Sequence, residues 1–252
     1  MTESGTSTAL SDVPTLLALE TAGSRCSAAV ARGDCILATA SQTQRHAHGE
    51  VLMSMLDRVM AEAGLSPRQL DIIAAAIGPG GFTGIRVGLA AAQGIALATG
   101  ARLIGVTGFA AVVQALRRAA SADGTTGAHL LVALDSRRDD LYVQLFAPDM
   151  RTPLAPPRAV LHDALSDYLG AACRGAPMLV AGDAAETAAA ALHGRVRAEI
   201  VPASAPDGVG VAAAALDAAR SAPAAEPVRP LYLRPPDVTL PKPRGIAAPI
   251  RS

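Results

Sequence analysis

The sequence predicts an α/β protein made of two similar lobes, each a mixed sheet with flanking helices. Three observations carry this. Short apolar runs of strand length alternate with stretches of helical spacing over most of the 252 residues. A strand-and-turn unit, Leu17-Ala18-Leu19-Glu20-Thr21, returns as Val132-Ala133-Leu134-Asp135-Ser136: an apolar triplet, a carboxylate, a hydroxyl. Each copy opens a similar strand–turn–strand arrangement, and duplication of one lobe is the simplest origin of the pair.

The elements follow in order. Residues 1–13 are polar and read as a disordered lead-in. Residues 16–19 form a strand, Glu20-Thr21-Ala22-Gly23-Ser24 turns the chain, and residues 27–30 form its return. Residues 49–63 place Leu52, Met55, Leu56, Val59 and Ala63 at helical spacing, with Gly64 as the stop. A buried strand at 71–77 runs into Gly78-Pro79-Gly80-Gly81, and a second helix is expected from 84 to 99. Residues 131–136 and 141–146 form the second hairpin, 178–183 a strand and turn followed by an alanine-rich helix, and 209–220 the last helix. The expected division is a first lobe at 14–107, a second at 108–222, and a proline-rich, basic tail at 223–252 that ends loosely.

Composition narrows the function. Half of the residues are apolar, enough for a large core without a metal or disulfide staple, and only 2 % are aromatic, so small, close-packed helices are expected. Lys and Arg number 22, as do Asp and Glu. A chain that grips phosphates carries a basic surplus, so RNA is expected to be met through a partner. Cys26, Cys35 and Cys173 have no metal-type spacing and read as free thiols. The start has no basic segment followed by an apolar core, and no apolar run reaches the roughly 20 residues that cross a bilayer. A soluble, cytoplasmic protein with no membrane partner is expected.

The segment from Gly78 to Gly88, GPGGFTGIRVG, is the most distinctive. A strand, a glycine turn and a helix N-terminus in succession can hold an anion, because unpaired amides and the helix dipole both favour negative charge. It is neither a Walker loop nor a dinucleotide fingerprint. The plainer alternative, that the glycines make a tight turn and let the helix lie close, stays open. The helix after it is slim: Gly88 and Gly94 lie inside it, and Ala90, Ala91, Ala92, Ala96 and Ala98 line it. A helix so apolar is covered on most faces, by its own sheet and, on this reading, by a second subunit. Met53, Met55 and Met60 on the preceding helix suit such an adaptable surface.

GPGGFTGIRVG resembles the GPGSFTGLRIG signature of the TsaB (YeaZ) family. The resemblance extends to LALETAGSRCSAAVA at 17–31, to ALDSRRDDLYVQLF at 133–146, and to Pro230-Leu231-Tyr232-Leu233-Arg234, which is similar to a closing P-x-Y-L-R. It implies an actin-like (ribonuclease H-like) fold, shared with sugar kinases. It also implies a non-catalytic subunit that pairs through the two first-lobe helices with a TsaD-type catalytic paralogue. With TsaE-type and TsaC-type proteins such a subunit supports threonylcarbamoyl transfer to adenosine 37 of tRNA, and tRNA is met only through the complex. The interface residues expected are Leu52, Met55, Val59, Arg86, Gly88, Ala91, Ala92 and Ile95. A candidate anion or nucleotide loop comprises Glu20, Gly80, Gly81, Thr83 and Asp135. No intrinsic cofactor is implied, with ATP or ADP reserved for the joint with the partner. Whether the free chain is a monomer or a homodimer is open. Glu20 stands where the family has Asp, and Gly81 where it has Ser, which weakens the case for a nucleotide site.

Two other functions compete with this reading. A metallopeptidase needs several ligands and a general base; His46 and His48, with Glu50 after them, are two apart and do not share a helix face, and no H-E-x-x-H occurs. A small-molecule kinase would use Glu20, Asp135 or Asp183 at strand ends, but no phosphate-binding lysine motif accompanies them. Arg137 and Arg138, followed by Asp139 and Asp140, read as a solvated turn.

Overall fold

The computed structural model of the chain describes residues 13–43, 48–119, 127–170, 176–202, 205–221 and 227–234. The rest of the lead-in, His46, Cys173 and the tail bases Lys242, Arg244 and Arg251 lie outside the described residues, as do the side chains of His48 and Glu50.

Two five-stranded mixed sheets repeat one plan. The first contains β1 (Thr15–Glu20), β2 (Arg25–Arg32), β3 (Cys35–Thr43), β4 (Ile72–Gly78) and β5 (Arg102–Thr107), in the order β3-β2-β1-β4-β5. β1, β2 and β3 form an antiparallel meander, while β4 and β5 add in parallel on the other side of β1. The second contains β6 (His129–Asp135), β7 (Asp140–Phe146), β8 (Arg158–Leu161), β9 (Met178–Ala181) and β10 (Ala198–Ile200), in the order β10-β9-β6-β7-β8. Again a meander starts on the central strand, and parallel strands add on its far side. β6 is thus to the second sheet what β1 is to the first. This is the duplicated actin-like α/β fold.

Burial explains why the central strands are legible. All six residues of β1 are buried, as are Leu130 to Leu134 of β6. A strand covered on both faces carries a continuous apolar run rather than an alternating one. Helices α1 (His48–Glu62) and α2 (Phe82–Thr99) pack on the first sheet, where Leu52, Met55, Val59, Ile85, Leu89 and Ala92 enter the core. α2 is the one described helix long and apolar enough to cross a membrane by length and composition, which no run in the sequence reading reaches. Gly84, Ile85, Gly88, Leu89 and Ala92 are buried and dock it on β4, while its other side stays exposed.

The remaining helices are α3 (Gly108–Ala119), α4 (Leu165–Leu169), α5 (Ala185–Leu192) and α6 (Gly208–Ser221). α3 buries Phe109, Val112, Val113 and Leu116 with residues of β6 and β7. α6 falls in the span expected for the second lobe, yet it packs on β1, β2 and β5 of the first sheet. α3 and α6 lie against each other, and a Cβ on Gly210 would stand 2.6 Å from the Ala111 carbonyl oxygen. The lobes are therefore joined by helices that cross the boundary drawn from sequence.

Candidate functional site: the cleft between the sheets

Each central strand ends in a carboxylate beside a hairpin turn, Glu20 on β1 and Asp135 on β6. The duplication brings the two ends to one cleft of about 360 Å³, lined by Glu20, Gly23, Gly80, Asp135, Asp183 and Arg234 among others. The glycine loop lies directly on the first turn. A Cβ on Gly80 would stand 2.1 Å from the Ala22 carbonyl oxygen, and the Gly81 N–H donates to that oxygen at 2.8 Å. Only a residue without a side chain permits this approach. The next helix continues the contact. Cβ atoms on Gly84 and Gly88 would fall 2.1 Å from the Thr21 carbonyl oxygen and 2.2 Å from Thr21 Oγ1. The Thr21 hydroxyl donates to the Gly84 carbonyl at 2.8 Å.

The floor is acidic. Glu20 is 1 % exposed; its Oε1 accepts the Ala22 N–H at 2.6 Å and the Gly23 N–H at 2.9 Å, while its Oε2 has no hydrogen-bond partner among the described residues. Burial pushes this carboxyl up to about 7, against the pull of the two amides and helped by the negative charges of Asp207 and Asp183. Asp183, at the turn after β9, is also raised, first by burial, although it accepts the Asp135 N–H at 2.9 Å. Asp135 in turn accepts the Arg137 N–H at 2.7 Å.

The basic groups are committed elsewhere. The Arg137 guanidinium crosses the cleft to the Gly23 carbonyl at 2.8 Å, which ties the two turns together. Arg234 forms an ion pair with Asp140, whose second neighbour is the Ser136 hydroxyl. Asp140 is 5 % exposed, so the Arg-Arg-Asp-Asp run is not simply a solvated turn. Nor is the first part of the tail loose. Residues 227–234 form a strap in which the Leu231 N–H donates to the Ile77 carbonyl at 2.7 Å. Tyr232 lies 5.1 Å from the Phe82 ring and accepts from Arg86 Nε at 3.2 Å, while the Arg86 guanidinium covers Phe82 at 3.7 Å. Through Arg234 the strap joins α2 to the second sheet.

The structure unites Glu20, Gly80, Gly81 and Asp135 in this cleft, and adds Asp183. Thr83 is exposed on the first turn of α2, apart from the residues that line the cleft. The expected partner face is corrected. Leu52, Met55, Val59, Gly88 and Ala92 are buried in the chain's own core, and Ala91 and Ile95 are half-buried. Arg86 alone is exposed, and it is engaged with Phe82 and Tyr232. The outward residues are instead Met53 on α1, at 50 % exposure, with Ala90, Gln93, Gly94 and Leu97 on α2, Leu97 at 89 %. Cys26 is buried and Cys35 exposed, both as free thiols.

Residues 35–152 match the family model described as TsaD: tRNA N6-adenosine threonylcarbamoyltransferase. The chain is 33 % identical over 129 residues to the tRNA threonylcarbamoyladenosine biosynthesis protein TsaB of Haemophilus influenzae, covering 51 % of this chain and 52 % of that protein. It is 31 % identical over 127 residues to the TsaB of Escherichia coli, covering 50 % and 52 %. The match thus spans about half the length of these curated relatives. An uncharacterized protein of Mycobacterium bovis is 29 % identical over 228 residues, 89 % of this chain and 94 % of that one. Among solved structures, a Pseudomonas aeruginosa protein described as similar to peptidase YEAZ superposes with a TM-score of 0.73 at 24 % identity, over 88 % of this chain and 100 % of that one.

Proposed function

We propose that the chain is a member of the TsaB (YeaZ) family, to which it is similar in sequence and fold, and that it takes part in forming threonylcarbamoyladenosine in tRNA as a non-catalytic scaffold. In this role it pairs with a TsaD-type enzyme that transfers threonylcarbamoyl to adenosine 37, in the cytoplasm, with a TsaE-type ATPase joining the assembly. The observation that carries the reading is the outer face of α2. Leu97 is 89 % exposed, and Ala90, Gly94 and Ala98 around it are exposed and too small to screen it. Met53 adds a second exposed apolar side chain on α1, which packs beside α2. A helix face of small residues with one large apolar side chain lets a partner helix come close and bury it. The same face would serve a homodimer of the free chain, which the TsaD-type partner would displace.

The cleft supports a non-catalytic role. Its arginines are engaged and its floor is acidic, so the triphosphate of ATP meets carboxylates instead of free cations. Nucleotide, on this reading, belongs to the joint with the partner. The proposal is tested by light scattering after size-exclusion chromatography of this chain mixed with the TsaD-type protein of the same source. A one-to-one species supports it. Two separate peaks, with or without ATP, would remove the partner assignment. Phosphorylation of a sugar by the chain alone would favour the kinase reading.

A further inference from the structure

A buried carboxylate oxygen without a donor is costly to leave so. Glu20 Oε2 is such an atom, on a residue that lines the cleft. Its surroundings select what can satisfy it. Asp183 and Asp207 deepen the negative potential at Glu20, and Asp135 does the same at Asp183. Arg137 and Arg234 are spent on Gly23 and Asp140, Arg138 has an interaction of its own, and the Gly81 N–H is spent on Ala22. A free anion is therefore repelled. A hard divalent ion needs about six oxygens, and among the described residues no three Asp, Glu, His or Cys side chains are grouped to hold a metal. The walls point to a third class of ligand. The chain has only six Phe and Tyr residues, and Phe82, Tyr142 and Tyr232 line this one cleft. A site that offers both a carboxylate and aromatic rings can hold an organic cation, the charge by the hydrogen bond and the apolar body by the rings.

We propose that the cleft binds a small organic cation bearing N–H groups, an amine or guanidine, which donates to Glu20 Oε2 while its body lies against Tyr142 and Tyr232. This site is separate from the α2 face and does not depend on the pairing proposed above. The ligand requires the ionised carboxylate, and Glu20 is held near 7. Binding therefore expels the Glu20 proton, and affinity rises with pH. The other ionisable groups facing Glu20 are Asp183, Asp207 and the Cys26 thiol, with the Arg137 guanidinium nearby at Gly23. The ionised fraction of a group titrating near 7 grows about tenfold between pH 6 and pH 8.

The test is calorimetric titration of agmatine, putrescine and tetramethylammonium into the full chain. Agmatine and putrescine are expected to bind at one site, about tenfold more tightly at pH 8 than at pH 6. Tetramethylammonium, which has no N–H, is expected to bind at least about tenfold more weakly. Glu20→Gln keeps an acceptor for the Ala22 and Gly23 amides and is expected to lose at least about tenfold in agmatine affinity. Asp183→Asn is a second variant, expected to weaken agmatine severalfold and usable even if Glu20→Gln fails to fold. The proposal is overturned if neither amine binds, or if tetramethylammonium matches agmatine. It is equally overturned if the folded variants bind as the parent does, or if magnesium chloride binds and excludes agmatine.

Discussion

Two glycines of α2, six residues apart, offer a controlled experiment on what holds that helix. A Cβ on Gly88 would stand 2.2 Å from Thr21 Oγ1, whereas a Cβ on Gly94 meets nothing within 4 Å. Both lie in the helix interior, so alanine gains about 1 kcal/mol of helix propensity at either position. At Gly94 that gain stands alone, and Gly94→Ala should raise stability by about that amount. At Gly88 the new methyl is forced into a hydroxyl that is itself held by the Gly84 carbonyl at 2.8 Å. Overpacking of this kind costs about 1–3 kcal/mol. The propensity gain cancels between the variants, so the difference isolates the packing penalty. With about 2–4 °C per kcal/mol for a chain of this size, Gly88→Ala should melt at least about 2 °C below Gly94→Ala. Thermal unfolding followed by circular dichroism measures both. Adding Thr21→Ala to Gly88→Ala should recover part of the loss, because the obstructing oxygen is gone. Equal melting temperatures for the two single variants would refute the close Thr21–Gly88 contact, and with it the placing of α2 against the turn after β1.

Other outcomes follow from the cleft. Glu20 is raised from 4.5 to about 7 in the folded chain, so its unfavourable ionisation is avoided below pH 4.5 and is felt as pH rises to 7. Relative to Glu20→Gln, the parent should therefore lose up to roughly 3 kcal/mol between those values and little more above them; urea unfolding at a series of pH values measures this, and a flat difference contradicts it. Arg234→Ala leaves the buried Asp140 carboxylate with only the Ser136 hydroxyl. It should cost about 1–3 kcal/mol, and in the Asp140→Asn background much less, as a double-mutant cycle would report.

How much of this is legible in the chain depends on which face a residue serves. The Glu20 and Asp135 units stand out because β1 and β6 are buried on both sides and keep an unbroken apolar run. β10 has three residues, mostly exposed, and the outer end of β3 is polar, so neither carries a pattern. α3 does carry one, with Phe109, Val112, Val113 and Leu116 at helical spacing, and a systematic count of that period would find it. The face expected for a partner shows the limit of the pattern. Helical periodicity marks the inward side, so Leu52, Met55 and Val59 are what it selects, and the sheet already holds them. The outward side of α2 carries Ala90, Gly94 and Ala98 with Gln93 and one leucine, which no period announces. Asp140 misleads for another reason: its partner Arg234 lies in a strap far along the chain, and local charge patterning cannot see it. The crossing of α6 onto the first sheet is likewise a tertiary fact.

The central claim is that the α2 face is a docking surface, and Leu97→Glu tests it most directly. At 89 % exposure the leucine contributes little to the monomer, so the melting temperature should stay within the small range typical of surface changes, about 0.5 kcal/mol. Light scattering of this variant mixed with the TsaD-type protein should show two uncomplexed species where the parent chain gives a one-to-one complex. A folded Leu97→Glu chain that still forms that complex with undiminished affinity would contradict the account.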